Sequence, residues 1–136
     1  MTIRFSKQST KVNIMIENPR GTKYWYQNGL KHRENDLPSV VYSDETKSWY
    51  KNGLIHRDND LPAVESSDGT KAWYQNGERH RENDLPALVY VNGTKVWYQN
   101  GKCHRDNDLP AVVYVNGDKE WFKNGIKYFP NETKSK

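Results

Sequence analysis

The sequence predicts an all-β chain: an elongated, twisted antiparallel sheet of stacked β-hairpin repeats. Three observations predict it. Tryptophan falls at positions 25, 49, 73, 97 and 121, a 24-residue period without insertions, and so regular a spacing marks one supersecondary unit repeated and stacked on itself. Asn-Gly follows each Trp segment, at Asn28, Asn52, Asn76, Asn100 and Asn124. Between alternating runs this dipeptide is the strongest short hairpin signal, because a type I′ turn needs positive φ at both central residues. The flanking segments, such as ALVYV and KVWYQ, are β-branched and aromatic, with no window of helical period or length.

These elements divide residues 1–136, read as a single repeat domain, into three parts. Residues 1–24 form a basic N-terminal segment and a partial capping repeat. Within them VNIMIENPRGTKY, residues 12–24, matches the strand-turn half of a unit but lacks the Leu-Pro lead. Residues 25–120 hold four repeats. In each, a strand (87–91 in one copy) runs to a turn, a second strand (94–99), the Asn-Gly turn, a short third strand (102–105) and the loop DNDLP that enters the next unit. The first turn carries Asp68-Gly69, Asn92-Gly93 or Asn116-Gly117, whereas Asp44-Glu45 lacks the glycine and is expected to be strained or of another type. Residues 121–136 form a partial C-terminal cap and a basic tail, in which Tyr128 stands where a histidine is due and Pro130 stops further pairing.

Composition sets the kind of core. Apolar residues are only 34% of the chain while aromatics reach 12%, with five Trp and nine Tyr, so the core is thin and aromatic. Alternation puts each Trp on the face opposite the next residue. The Trp row is expected to be the buried spine, each ring contributing on the order of 4–6 kcal/mol as an upper bound. The second row, Tyr26, Tyr50, Tyr74 and Tyr98, is expected to be an exposed ladder available for contact. The interaction candidates are therefore Trp25, Trp49, Trp73, Trp97 and Trp121 with those four tyrosines.

One motif looks like chemistry. HR[DE]NDLP occurs from His32, His56, His80 and His104 and contains every histidine of the chain. Catalysis needs one asymmetric pocket with different residues in different roles, and four equal copies supply none. Zinc needs three or four ligands, whereas each copy offers one imidazole and no thiolate. The motif instead fits a joint: Asn and Asp bond the bend, Pro extends the preceding Leu and aims the next strand, and Arg bridges to a loop carboxylate and lies over an aromatic ring. No catalytic residue, metal, cofactor or small-molecule substrate is expected. Cys103, the one cysteine, rules out an internal disulfide and matches Lys31, Ile55 and Arg79 in the other copies, an unconstrained position.

Net charge is +4, but residues 25–120 alone carry 12 basic against 15 acidic groups. The basicity belongs to the ends. Arg4, Lys7, Lys11, Arg20 and Lys23 at one end, and Lys123, Lys127, Lys134 and Lys136 at the other, are the candidates for nucleic-acid contact. The first residues lack a signal-peptide pattern and no apolar run reaches membrane-spanning length, so a soluble, intracellular protein is expected.

With W-Y-x-N-G-x-x-H-R-x-N-D-L-P-A on the page, residues 12 to about 128 resemble a variant of the MORN repeat (membrane occupation and recognition nexus), in the diverged tandem form of bacteria and of large DNA viruses of amoebae. The resemblance implies stacked antiparallel hairpins with no intrinsic catalysis. The usual unit is slightly shorter and carries glycine where this chain has Arg33, Arg57, Arg81 and Arg105, so the lipid-headgroup binding attributed to the family is not carried over. The expected role is a structural or protein-interaction module of a virion or of the host cytoplasm. Its partners are another protein or a second copy, as a homodimer through the open sheet ends. The rival expectation is an accessory protein binding nucleic acid through its basic ends.

Overall fold

The computed structural model describes residues 1–8 and 10–131. No helix occurs among them, and an antiparallel sheet of thirteen strands runs the length of the stack. Its first and last strands, Thr2–Gln8 and Ile126–Tyr128, do not meet, so the sheet is not closed into a barrel. Each repeat adds two strands to it: Val40–Val41 with Lys47–Ser48, Val64–Glu65 with Lys71–Ala72, Leu88–Val89 with Lys95–Val96, and Val112–Val113 with Lys119–Lys123.

The expected six-residue second strand is broken at each interior tryptophan. Residues 95–96 belong to the long sheet, whereas Tyr98–Gln99 pairs only with Lys102–Cys103, as Tyr74–Gln75 does with Glu78–Arg79 and Tyr50–Lys51 with Leu54–Ile55. The cause is a change of backbone partner. The N–H of Trp97 donates to Ala111 of the next repeat (2.8 Å), while its C=O accepts from His104 (3.1 Å). The chain thus leaves the sheet at Trp and becomes a separate hairpin. The third strand ends at Cys103, and His104 lies beyond it.

Both central residues of the Asn-Gly turns have positive φ, for instance Asn28 at 51° and Gly29 at 81°, as type I′ requires. In the other turn Gly93 has φ 95°, the Gly93 N–H donates to the Tyr90 carbonyl and the Tyr90 N–H to Thr94 (both 2.9 Å), a type I turn closed by a left-handed residue. Glu45 takes the same place at φ 73° with the same bonds, from Glu45 N–H to Tyr42 and from Tyr42 N–H to Thr46. The turn type is kept and the glutamate carries the strain.

One strand lies beyond the expected elements. Thr2–Gln8 pairs with Lys11–Glu17 over seven residues, from Thr2↔Glu17 to Gln8↔Lys11. The N-terminal segment is thus the outermost strand of the sheet, its charges masking its pairing capacity in the sequence.

The core sits where the hairpins pack on one sheet face. Ala72, Leu88, Val96 and Val112 form it, with Tyr74, Tyr98, Cys103 and Phe122 half-buried against them. Ala63, Ala87 and Ala111, each after a loop Pro, are fully buried. Ser39 takes that place in the first copy, and its hydroxyl both donates to the Tyr50 carbonyl and accepts the Tyr50 N–H (3.0 Å each).

Candidate functional site

The motif forms one joint per repeat. In all four loops the Asn and Asp are left-handed, for example Asn59 at φ 63° and Asp60 at 55°, which both residue types tolerate at low cost. That bend turns the Asp60 carbonyl toward the next unit, where it accepts the indole N–H of Trp73 (3.0 Å). The same bond joins Trp49 to Asp36, Trp97 to Asp84 and Trp121 to Asp108.

Arginine closes the joint over the ring. The guanidinium carbon of Arg57 lies 3.7 Å from the Trp49 centroid, two of its nitrogens donate to the Asp36 carboxylate (3.0 and 3.1 Å), and a third donates to the Pro62 carbonyl and to Glu65. Arg81 and Arg105 stack on Trp73 and Trp97 and fork onto Asp60 and Asp84 in the same way. Arg33 has no preceding loop to grip and keeps only Trp25 and the Pro38 carbonyl. At the far end Tyr128 donates its hydroxyl to Asp108 (3.0 Å).

Each histidine is committed at both nitrogens. Nδ1 of His32, His56, His80 and His104 accepts the backbone N–H of Asn52, Asn76, Asn100 and Asn124, all at 3.0 Å. Nε2 faces the carboxylate two residues on, at 2.7–3.2 Å. An amide donor at Nδ1 assigns the proton to Nε2, which donates to that carboxylate at His32, His56 and His104 and lies 3.2 Å from it at His80. These bonds hold Glu34 and Asp58 below the usual carboxylate range, the histidine bond being the largest cause in each and Lys11 and Lys51 adding to it. The imidazole is a clamp between one loop and the next Asn-Gly turn.

The chain is a β-hairpin repeat protein. Compared with protein-family models, curated proteins and solved structures, it has no match.

The loop side carries a groove at each repeat. The widest, about 670 Å³, is lined by Trp73, Glu78, His80, Arg81, Glu82 and Asn100 among others, and smaller ones of about 170–220 Å³ recur at Trp25, Trp49 and Trp97. No group of three or more His, Cys, Asp or Glu side chains among the described residues is arranged to hold a metal ion.

Trp49, Trp73 and Trp97 are buried at 6–8% exposure, and Trp25 and Trp121 are half-buried, so the Trp row is the buried spine expected of it and holds the stack together. Tyr26, Tyr50, Tyr74 and Tyr98 are not the exposed ladder expected, being half-buried by the folding of the hairpins onto the sheet. Burial raises the Tyr50 hydroxyl. The position judged unconstrained lies between successive tyrosines. Lys31 sits over Tyr24 and Tyr50, Arg79 over Tyr74 and Tyr98, and Cys103 packs on the core, their stems or sulfur covering the rings. The exposed tyrosines among the described residues are instead Tyr42, Tyr90 and Tyr114, legible only as the Tyr before the first turn in three of the four repeats.

The basic candidates are not one patch. Arg4, Lys7 and Lys11 lie on the first strands and Lys123 and Lys127 on the last, separated by eleven strand steps, about 50 Å at ~4.8 Å each. Lys11 is paired with Glu34 (3.1 Å) and Lys127 with Glu120 (2.8 Å). Arg20 is exposed in the first turn, while Lys134 and Lys136 lie outside the described residues. Lys23 belongs to a further row. No helix among the described residues is long and apolar enough to cross a membrane.

Proposed function

We propose that the chain is a non-enzymatic, MORN-like repeat module that works by assembly, pairing with a second copy through its N-terminal edge strand. The observation that carries this reading is the open side of Thr2–Gln8. Seven residues of extended backbone pair on one side only, and the same strand exposes Ile3 at 49% and Phe5 at 73%. An edge of that length and apolarity is a template for another strand. A two-fold axis beside it makes one continuous sheet from two chains. The opposite edge, Ile126–Tyr128, is short and followed by Pro130, which blunts it.

Support for a role without catalysis comes from the joints, where all four imidazoles accept a backbone N–H of the next turn and three of the four guanidinia fork onto the preceding loop. Light scattering of the full chain tests the assembly reading: a dimer is expected, reduced to monomer by Ile3→Lys with Phe5→Lys, whereas a wild-type monomer overturns it. A place in the particle of a large DNA virus rests on the resemblance alone and is tested by mass spectrometry of purified particles. For the rival reading, exposed Arg4, Arg20, Lys23 and Lys123 are available contacts, and oligonucleotide affinity unchanged by their replacement with Gln excludes it.

A further inference from the structure

Every repeat places a lysine two residues before its tryptophan: Lys23, Lys47, Lys71, Lys95 and Lys119. The register puts all five in one line across the long sheet. Lys23 pairs with Val41, Val41 with Lys47, Lys47 with Glu65, Glu65 with Lys71, Lys71 with Val89, Val89 with Lys95, Lys95 with Val113, and Val113 with Lys119. Residues directly opposite share a face, so the lysines form a ladder with two strands between rungs, about 9.6 Å per rung and about 38 Å in all at ~4.8 Å per strand. All five are exposed. None makes an ion pair with a described carboxylate; Glu17 stands opposite Lys23 at the end of the line, and Glu65, within it, is bonded to Arg57.

A second ladder of opposite sign runs along the loops. Glu34, Asp58, Glu82 and Asp106 also recur once per repeat, with side chains 47%, 60%, 74% and 77% exposed. Lys11 and Lys51 sit beside the first two, whereas Glu82 and Asp106 have only a histidine within 4 Å. Each of those histidines accepts an amide N–H at Nδ1 and presents Nε2 to the carboxylate, at 3.2 Å from Glu82 and 2.8 Å from Asp106. Three residues on, each loop shows a half-exposed leucine, Leu37, Leu61, Leu85 or Leu109, as the lysine ladder has half-buried valines between its rungs.

We infer that the lysine ladder of one chain docks on the carboxylate ladder of a second copy, side by side. Both ladders are set by one repeat, so their rungs match over the whole length, and a shift by one unit keeps every pair. A polyanion fits less well, because its phosphates are closer than the rungs. Because the two ladders are different surfaces, the contact is heterologous and open, and it extends beyond a dimer. This goes beyond edge pairing, which uses backbone and one end of the stack.

Sedimentation velocity with two variants tests it. Lys47→Gln with Lys71→Gln and Lys95→Gln removes the three central rungs of one ladder and keeps the other. Asp58→Asn with Glu82→Gln and Asp106→Asn does the reverse while leaving an amide oxygen for each histidine. All are made in the Ile3→Lys, Phe5→Lys background, so that loss of edge pairing is scored separately. The parent is expected to form species larger than a dimer at low salt and to dissociate at high salt. Each variant alone should be monomeric at both, and an equimolar mixture should give a salt-sensitive heterodimer and nothing larger. A parent that is monomeric at low salt, variants that associate alone, or a mixture that stays monomeric overturns the inference, as does a monomeric parent that binds a DNA oligonucleotide through the lysines. Circular dichroism of each variant fixes that it is folded.

Discussion

Arg57 lies flat on Trp49, its guanidinium carbon 3.7 Å from the ring centroid, and from that position it reaches back to the Asp36 carboxylate of the preceding loop with two nitrogens. Ring, fork and carboxylate come from two adjacent repeats, so the contact that covers the core also joins the stack. Lysine cannot do both, having neither a planar face nor a fork. Arg81→Lys, at the same joint one repeat on, is expected to cost about 1–2 kcal/mol, read as a lower urea midpoint. An unchanged midpoint shows the stack to be geometry without energy.

Trp73→Phe keeps most of the buried ring but leaves the Asp60 carbonyl without its indole donor. The expected loss is about 1–3 kcal/mol. Trp73→Ala adds a cavity and is expected to cost about 3–5 kcal/mol. Since each repeat contacts only its neighbours, that variant should also unfold in two steps by circular dichroism and Trp fluorescence.

His80→Ala strips the acceptor from the Asn100 N–H (3.0 Å). At this exposed position water replaces the acceptor and the lost bond costs about 0.5–1.5 kcal/mol, so the melting temperature should fall while the fold, judged by circular dichroism, survives. In acid the neighbouring carboxylates matter. Glu34 and Asp58 are depressed in the folded chain by their histidine bonds. Their contribution is therefore present above the unfolded carboxylate range and lost as pH falls through the lower folded values. Below about pH 4 the chain should lose stability, and Glu34→Gln with Asp58→Asn should flatten that limb.

Glu45 holds φ 73° where Gly69, Gly93 and Gly117 hold 94–96°. Glu45→Gly is expected to stabilise by about 1 kcal/mol, the relief of left-handed strain less the added freedom of the unfolded chain. Differential scanning calorimetry reads it as a higher melting temperature.

Burial pushes the Cys103 thiol up to about 11. At neutral pH its thiolate is scarce, and alkylation by iodoacetamide is expected to be many-fold slower than for the unfolded chain. Equal rates would mean the core opens freely at the fourth repeat.

The sequence by itself determined the period, the type I′ Asn-Gly turns, the place of the other turn and the role of HR[DE]NDLP as a joint, because left-handed turns and loop bonds are decided within a few residues and Asn, Gly, Asp and Pro announce them. It also singled out Trp as the buried spine, because that row is invariant at its period while the Tyr row ends in Phe122. The break of the strand at Trp, the folding of the Tyr row onto the core, the edge strand at Thr2–Gln8 and the line of lysines were decided only by the tertiary structure. Each depends on which backbone lies beside which. The count over residues 25–120 is acidic, yet cross-strand register gathers Lys47, Lys71 and Lys95 on one face and leaves Glu82 and Asp106 on the loops, so opposite charges interleaved along the chain become two separate ladders in space.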